Sequence, residues 1–451
     1  MENIAKGDSL QKLKGLKITS LDDDDEEQEQ DTIPDEYDDD DDDDDEEEEE
    51  EQEPVTLGFL EKPKNSRSLL RHLFPSKTGG TPAWLDPVNL PSGRSCLCDI
   101  CGEPLQFLLQ VYAPISEKDS TFHRTLFVFM CPSMRCLLRD QHEQWKRPPE
   151  SPSRSVKVFR CQLPRSNPFY SSEPPKSDGT DKPSGPGVAL CNWCGTWKGD
   201  KVCSSCRRAH YCSQKHQVMH WRTGHKIECQ QLCLSDQSFD TNPSNGGTSA
   251  TERQKGYLSV VVAKMSSYMN QTLTYKLLAY ALVASKSIWP EYEMINEDES
   301  EYDTEMSEDN GDTNTLISKT GTDDTMKSLL SNFEGDDDRK SWASFQERIG
   351  KAPEQILRYC RSTSAKPLWP MSSGRPSKAD IPKCSYCGGP RCFEFQILPQ
   401  LLYYFDVKND VDSLDWASIV VYTCEDSCEA SVSYKEEFVW VQQSSTIVNV
   451  P

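Results

Sequence analysis

Short apolar runs, bounded by turn-forming residues or cysteines, are the main pattern in the chain before residue 170. The runs 107–112, 126–130 and 156–159 have the length and composition of β-strands. Residues 66–85 instead alternate apolar anchors with Gly and Pro, which predicts loops with little regular structure. The pattern therefore predicts a small, β-rich α+β fold.

The first of these units recurs near the C-terminus. Residues 98–111, CDICGEPLQFLLQV, align without a gap with residues 384–397, CSYCGGPRCFEFQI. The two copies share two cysteines, a glycine, a proline, a phenylalanine and a glutamine. Residues 127–131 and 420–424 also match, and each of these runs ends in a further cysteine. This similarity indicates an internal duplication.

The two copies predict zinc-ribbon-like halves of one composite domain. Because like units most simply pack on each other, we expect residues 57–170 and 339–451 to form this domain together. Each half has four cysteines that could bind one Zn²⁺. They are Cys98, Cys101, Cys131 and Cys136 in the first half, and Cys384, Cys387, Cys424 and Cys428 in the second. The alternative is that these cysteines are buried thiols in a β core.

Eight potential metal ligands crowd the segment 191–229 between the two halves. They form the pairs Cys-x2-Cys (twice), Cys-x3-His and His-x3-Cys, at Cys191, Cys194, Cys203, Cys206, Cys212, His216, His225 and Cys229. Eight ligands divide into two closed tetrahedral sites, which is typical of structural zinc. So short a segment cannot bury a core of its own, so we expect two Zn²⁺ ions to act as its core. His220 could compete as a ligand, but we expect it to be a surface histidine.

Polar segments separate these parts of the chain. Residues 171–187 and 234–338 are predicted linkers, and the acidic stretch 297–338 is expected to be disordered. Within the second linker, the apolar stretch 257–284 is interpreted as an insertion. We therefore expect the finger segment 188–233 to be extruded from the composite domain together with its linkers.

The net charge of −25 is concentrated in residues 22–53 of the N-terminal head, residues 1–56. Residues 22–53 hold 25 of the 74 acidic residues and no Lys or Arg, which leaves 49 acids against 49 bases elsewhere. Such a block repels itself and is expected to be disordered. Because no basic domain is present, we expect no direct binding to nucleic acid, and basic proteins are the expected partners. The head either shields such a client from RNA or is only a solubilising tail.

The chain has no hydrophobic signal core and no apolar run of membrane-spanning length. We therefore expect a cytoplasmic and nuclear protein with reduced, metal-binding cysteines and no membrane contact. We also expect a monomer. Leu10, Leu13, Leu16 and Ile18 have the spacing of a leucine-rich nuclear export signal, so an export receptor is a candidate partner. An isolated amphipathic turn is the alternative interpretation of this stripe.

The ligand order in the central segment resembles the MYND zinc finger. The resemblance includes Tyr211 before Cys212, Gln217 after His216, and Trp221 before the last two ligands. It implies interleaved ligation of two Zn²⁺ ions. By this resemblance Cys191, Cys194, Cys212 and His216 bind one ion, and Cys203, Cys206, His225 and Cys229 bind the other.

Motifs around the finger extend the resemblance from residue 57 to residue 451. GFLEKP, HLFPSKTGGTPAWL, CGEPLQFLLQVYAP, WPEYEM, FQERIGKAPEQILRYCR and EEFVW occur in the order found in the programmed cell death protein 2 family, which the chain resembles. The acidic head and the stretch 257–284 depart from the family pattern. The resemblance implies a dedicated chaperone that captures a newly made, basic small-subunit ribosomal protein of the universal fifth class during ribosome biogenesis. Exposed sheet edges and an acidic tail would suit such a client, through strand addition and charge complementarity.

Two other functions compete with this interpretation. Some MYND proteins are methyltransferases, but the sequence offers no Gly-rich cofactor loop and no supported catalytic constellation, so we expect no enzyme activity. Among the three histidines outside the finger, His123 in FHRTLF is the best catalytic candidate. The second alternative is an adaptor in transcription or apoptosis regulation, in which the finger binds proline-containing peptides.

Overall fold

The computed structural model describes residues 54–65, 67–145, 153–175, 187–237, 288–303, 337–408, 410 and 412–443. The acidic block, the 10–18 stripe and the stretch 257–284 lie outside these residues, and their expected disorder, export role and insertion stay predictions. None of the helices in the described part of the chain combines the length and the apolar character needed to cross a bilayer.

Twelve strands and six α-helices make up the described fold. The strands are β1 Thr56–Glu61, β2 Lys77–Thr78, β3 Gln106–Tyr112, β4 His123–Met130, β5 Val156–Leu163, β6 Lys201–Val202, β7 His210–Tyr211, β8 Tyr292–Asp298, β9 Leu357–Tyr359, β10 Arg391–Ile397, β11 Ser418–Cys424 and β12 Tyr434–Gln442. The helices are α1 Met134–Trp145, α2 Gln214–His220, α3 Lys226–Gln237, α4 Ser300–Asp303, α5 Asp337–Lys351 and α6 Gln400–Tyr404, with a π-helical turn at Trp221–His225 between α2 and α3.

Ten of the strands close into one antiparallel barrel. Its order is β1-β8-β2-β3-β4-β5-β12-β11-β10-β9, and β9 pairs with β1 to complete the circle. The predicted strands 107–112, 126–130 and 156–159 are confirmed as parts of β3, β4 and β5. The loop prediction for 66–85 is also confirmed for the described residues 67–85, which contain only one 3₁₀ turn and the two-residue β2.

Strand β4 shows why the barrel is covered on both faces. Leu126 and Val128 pack in the main core with residues from strands across the barrel. Phe127 and Phe129, on the opposite face of the same strand, pack in a second cluster that includes Trp84 and Trp197. Alternate side chains of a strand point to opposite faces, so a strand that is buried throughout reads as a continuous apolar run.

The two copies of the repeated pattern form similar three-stranded meanders. β3 and β4 pair with an irregularity between Phe107 and Leu109, and β10 and β11 pair with one between Phe393 and Phe395, at the aligned positions. The meanders join edge to edge, because β5 pairs with β12. Within the described residues the barrel offers no edge for the expected strand addition, because its ladder is closed, whereas the two-stranded sheet β6–β7 of the finger is open.

Part of the predicted linker 234–338 belongs to the barrel. Strand β8 pairs with β1 over six residues and also with β2, and α4 follows it within the stretch expected to be disordered. The linker interpretation is therefore wrong for residues 292–303. Met294 is the only buried residue of β8, and three of the seven residues of the strand are acidic, so its sequence does not stand out from an acidic loop.

The finger is not extruded from the barrel, contrary to expectation. Trp197 of the finger is only 1% exposed, and its ring centroid lies 4.3 Å from that of Phe129 on β4. The Trp197 indole donates a hydrogen bond to the Leu105 carbonyl (2.8 Å), and the Trp84 indole donates to the Thr196 carbonyl (2.8 Å). These contacts fix the finger against the outer wall of the barrel.

Candidate metal centres

The four Cys-x2-Cys turns share one backbone geometry. In each turn the residue after the second cysteine has a positive φ, and its N–H donates to the carbonyl of the first cysteine at 2.8 to 3.0 Å. This residue is Gly102, Gly195 or Gly388 in three turns and Arg207 in the fourth. Glycine suits this left-handed conformation because it has no Cβ. Two of the turns lie in the finger and two in the barrel, so the same local structure is built four times.

The first finger cluster brings together Cys191, Cys194, Cys212 and His216. The sulfur atoms of Cys194 and Cys212 are 3.8 Å apart, and His216 Nδ1 lies 3.2 Å from the Cys212 sulfur and 3.6 Å from that of Cys191. The side chain of Ser213 caps α2 by accepting from the His216 backbone N–H, which places His216 in the first turn of the helix. Two ligands thus come from a turn, one from the residue before the helix cap and one from the first turn of the helix.

The second finger cluster brings together Cys203, Cys206, His225 and Cys229. The sulfur atoms of Cys203 and Cys229 are 3.7 Å apart, and the Cys206 sulfur lies 3.5 Å from His225 Nε2. All four residues are buried. The two clusters alternate along the chain, which is the grouping implied by the resemblance to MYND fingers.

Each half of the barrel carries a four-cysteine cluster as well. Cys98, Cys101, Cys131 and Cys136 meet at one end of the β3–β4 hairpin, and Cys384, Cys387, Cys424 and Cys428 meet at the equivalent end of the β10–β11 hairpin. In both clusters the second cysteine is exposed and the other three are buried. Each cluster therefore brings together the segment before the first strand of its hairpin and the segment that follows the second strand.

The sulfur–sulfur distances fit tetrahedral zinc. A Zn–S bond of about 2.3 Å in a regular tetrahedron separates the sulfur atoms by about 3.8 Å. The observed distances in the barrel clusters are 3.7 Å for Cys101 and Cys131, 3.7 Å for Cys384 and Cys428, and 3.6 Å for Cys387 and Cys424. A disulfide would need about 2.05 Å. All four clusters thus have the donor atoms and the spacing that a Zn²⁺ ion requires.

In each barrel cluster the first cysteine has a lowered pKa, whereas the pKa values of the third and fourth cysteines are raised, chiefly by burial and by the neighbouring thiols. The hydrogen bond from the Cys131 thiol lowers the pKa of Cys98 to about 5, although burial opposes this. At Cys384 burial also acts to raise the pKa, but the backbone N–H groups of Tyr386 and Cys387 donate to the sulfur and the net pKa is lowered. Because Zn²⁺ binding requires deprotonated cysteines, metal binding at either cluster should release protons from the thiols whose pKa values are raised.

His220 is buried and is not the surface histidine that we expected. It is 4% exposed, and its Nδ1 lies 2.9 Å from the Tyr211 hydroxyl. The π-helical turn stacks the His220 ring on the His225 ring, with centroids 4.9 Å apart. Glu228 Oε2 lies 3.5 Å from His225 Nδ1 and 3.7 Å from His220 Nε2. A carboxylate in this position orients a metal-binding histidine, and the sequence reasoning missed Glu228.

Cys96 and His123 are not members of the four clusters. The Cys96 thiol donates to the Pro91 carbonyl. His123, the best catalytic candidate from the sequence, stacks on Phe74 with centroids 4.1 Å apart, and its Nδ1 lies 3.1 Å from the Tyr112 hydroxyl. Burial lowers the pKa of His123 to about 4. An aromatic environment of this kind is typical of a packed structural histidine.

Comparisons with known proteins agree with this architecture. Family profiles match residues 54–177 as "Programmed cell death protein 2, N-terminal domain", 339–443 as "Programmed cell death protein 2, C-terminal putative domain" and 191–229 as "MYND finger". "Programmed cell death protein 2" of Bos taurus is 34% identical over 396 residues, which cover 86% of this chain and 96% of that protein. The chain belongs to the programmed cell death protein 2 family. The Rattus norvegicus member is 35% identical over 397 residues, covering 86% of this chain and 97% of its own length.

A more distant relative and the solved structures complete the comparison. "Probable 20S rRNA accumulation protein 4" of Schizosaccharomyces pombe is 31% identical over 120 residues, which cover 23% of this chain and 28% of that protein. No solved structure matches the chain. The MYND finger match identifies the central segment as a zinc-binding module.

Proposed function

We propose that this family member is a non-catalytic escort of a basic small-subunit ribosomal protein in ribosome biogenesis. The observation that carries the proposal is the similarity to a fission yeast protein whose name refers to the accumulation of 20S rRNA. The charge distribution is consistent with it, because 25 acidic residues in one block give the chain a strong attraction for a basic client. Such a client would bind to surfaces other than an edge of the barrel, since the barrel ladder is closed.

In this proposal zinc is structural and four ions are bound per chain. Two are held in the finger, and one is held by each four-cysteine cluster of the barrel. Each cluster has four protein ligands, and closed coordination of this kind leaves no position for a substrate. The metal would tie loops and hairpins together, and the protein surfaces would perform the recognition.

Affinity isolation from growing cells tests the escort function. The full chain, carrying an affinity tag, should enrich one small-subunit ribosomal protein without the other proteins of mature ribosomes. A chain that lacks residues 22–53 should bind the same client with slower association at low salt, because exposed charges steer encounter over about 10 Å at 0.1 M ionic strength. Enrichment of whole subunits, or of no ribosomal protein, would contradict the proposal.

An adaptor function is the second candidate, and one observation favours it. Val218 on α2 and Trp221, the first residue of the π-helical turn that follows α2, are 38% and 41% exposed. Adjacent apolar side chains on a helix face are a common contact for peptide partners. In the same isolation experiment, Trp221→Ala should release adaptor partners and leave an escorted client bound. Loss of the ribosomal protein in this variant would favour the finger as the binding module.

Traffic between compartments is part of the same proposal. We expect the chain to occupy both cytoplasm and nucleus as a monomer, with export through the stripe formed by Leu10, Leu13, Leu16 and Ile18. Replacing Leu16 and Ile18 by Ala should shift a fluorescent fusion toward the nucleus. An unchanged distribution would show that the stripe is not an export signal.

A further inference from the structure

The loop Cys424–Cys428, which supplies two ligands of the C-terminal cysteine cluster, receives hydrogen bonds from the other half of the chain. Lys118 Nζ donates to the Asp426 carbonyl at 3.1 Å, and Gln162 Nε2 donates to the Ser427 carbonyl at 3.0 Å. Arg160 Nη1 donates to the Cys428 carbonyl at 3.3 Å. These three donors belong to the N-terminal half, which contains the other copy of the repeated pattern.

Arg160 also reaches the cluster itself. Its Nη2 lies 3.8 Å from the Cys428 sulfur, and its side chain is fully buried. Its Nε donates to Glu437 Oε1 at 2.7 Å, and the other oxygen of Glu437 accepts from the Cys424 backbone N–H at 3.2 Å. A buried guanidinium is therefore placed between a metal-binding sulfur and a carboxylate that holds a second metal ligand.

Charge explains why an arginine is needed here. Four thiolates and one Zn²⁺ carry a net charge of −2, and a buried negative charge is costly unless a positive group compensates it. Arg160 and Arg391 both contact Glu437, so two positive groups accompany one carboxylate beside the cluster. A hydrogen bond from a guanidinium to a thiolate also lowers the electron density on sulfur and fixes its direction.

Backbone conformation supplies an independent reason. Ser427, within the ligand loop, has a positive φ of 43°, which is unfavourable for a residue other than glycine. Its carbonyl accepts from Gln162, and its hydroxyl lies 3.3 Å from Arg361 Nη2. The surrounding donors thus hold the loop in a conformation that it would not adopt in isolation.

We propose that Arg160, assisted by Lys118 and Gln162, is the positioning residue for zinc in the C-terminal cluster, so that this site is complete only when the two halves of the barrel are joined. The inference rests on the zinc proposed above for this cluster. In this proposal the metal affinity of the C-terminal cluster depends on the pairing of β5 with β12. A ligand that binds only when the two halves are paired also stabilises that pairing. Across the described residues, no equivalent donor from the C-terminal half contacts a sulfur of the N-terminal cluster.

Site-resolved alkylation of the zinc-loaded full chain tests this. Zinc-bound thiolates react slowly with N-ethylmaleimide, and mass spectrometry of the peptides reports each cysteine separately. In Arg160→Gln, Cys387 and Cys428 should be alkylated about tenfold faster than in the unmodified chain, a change of about 1.4 kcal/mol. Cys98 and Cys101 should keep their protection.

Lys157→Gln is the matched control. Lys157 lies on the same strand as Arg160 and is also buried, but it pairs with Asp99 at 2.9 Å and not with the C-terminal cluster. Equal exposure of Cys428 in both variants would overturn the inference, because it would indicate general loosening of the barrel. If Arg160→Gln does not fold, the double variant Lys118→Ala and Gln162→Ala decides: faster alkylation of Cys428 supports the inference, and an unchanged rate overturns it.

The two proposals fail in different ways. If Cys387 and Cys428 of the unmodified, zinc-treated chain react as fast as after chelation, the cluster binds no zinc and both proposals are wrong for this site. If both cysteines are protected, but their alkylation rates are the same in Arg160→Gln and in the double variant as in the unmodified chain, zinc is present and only the role of Arg160 is wrong.

Discussion

Replacing Trp197 by Ala should separate the stability of the barrel from the zinc content of the finger. Trp197 belongs to the finger, but its ring fills a cluster formed by barrel residues, including Phe129 at a centroid distance of 4.3 Å. It is not a metal ligand. If the finger draws its folding free energy from zinc, as proposed above, the two ions proposed for it should remain bound in this variant.

The expected loss of stability is large because Trp197 is almost fully buried, with 1% of its surface exposed. Truncating a buried Trp to Ala typically costs about 3–5 kcal/mol. The variant also leaves the Leu105 carbonyl without its indole donor, and this unpaired acceptor is part of that cost. For a domain of this size, about 2–4 °C is lost per kcal/mol, so the melting temperature of the barrel should fall by about 10 °C.

Calorimetry of the full chain, with native mass spectrometry for the zinc count, measures both effects. Trp221→Ala is the matched control, because Trp221 is 41% exposed on the same finger and should change stability by less than about 0.5 kcal/mol. If the two variants melt alike, the finger does not stabilise the barrel and the docking of Trp197 is refuted. If Trp197→Ala loses zinc, the finger depends on the barrel for metal binding, which the reasoning does not allow.

Two further predictions concern the finger ligands and a buried ion pair. Cys203→Ser should remove one zinc ion from the finger in native mass spectrometry, whereas Cys233→Ser, outside the clusters, should remove none; an equal count in both variants would reject the assignment of Cys203. Glu394→Gln should lower the free energy of unfolding, measured in urea at neutral pH, by about 3–5 kcal/mol, because it leaves Arg124 buried without its carboxylate partner. The control Glu347→Gln changes an exposed residue and should lower this free energy by less than about 0.5 kcal/mol. Burial acts to raise the pKa of Glu394, but Arg124 holds it below the ordinary 4.5, so the difference between wild type and Glu394→Gln should be complete above pH 4.5 and shrink as the pH falls further. A difference that grows on acidification would show that this sign is wrong.

The metal clusters could be predicted from the sequence because their signal is local. Pairs such as Cys98 and Cys101 are two residues apart, and the glycine after each of three such pairs marks the left-handed residue of the turn. The strands beside them were predictable for the same reason, since each is a continuous apolar run. Grouping the finger ligands into two interleaved sites, however, required the resemblance to a known module, because spacing alone allows several groupings.

Barrel closure could not be predicted because it depends on strands with weak sequence signals. β2 has two residues and β9 has three, too few for a period of two to be recognised. β8 has one buried side chain and three acidic residues, and its strand conformation depends on pairing with β1 and β2. The burial of His220 likewise follows from a π-helical turn, whereas a regular helix would separate the His220 and His225 rings around its axis.

The zinc content of the intact chain tests the proposed architecture most directly. Native mass spectrometry under reducing conditions, without a chelator, should show the mass of the polypeptide plus four Zn²⁺ ions, and all four should be lost on denaturation in acid. Four ions are predicted because four clusters place their donor atoms within 4.8 Å of one another, with sulfur atoms 3.6 to 3.8 Å apart. A chain that carries two ions, both in the finger, would contradict zinc in the barrel halves.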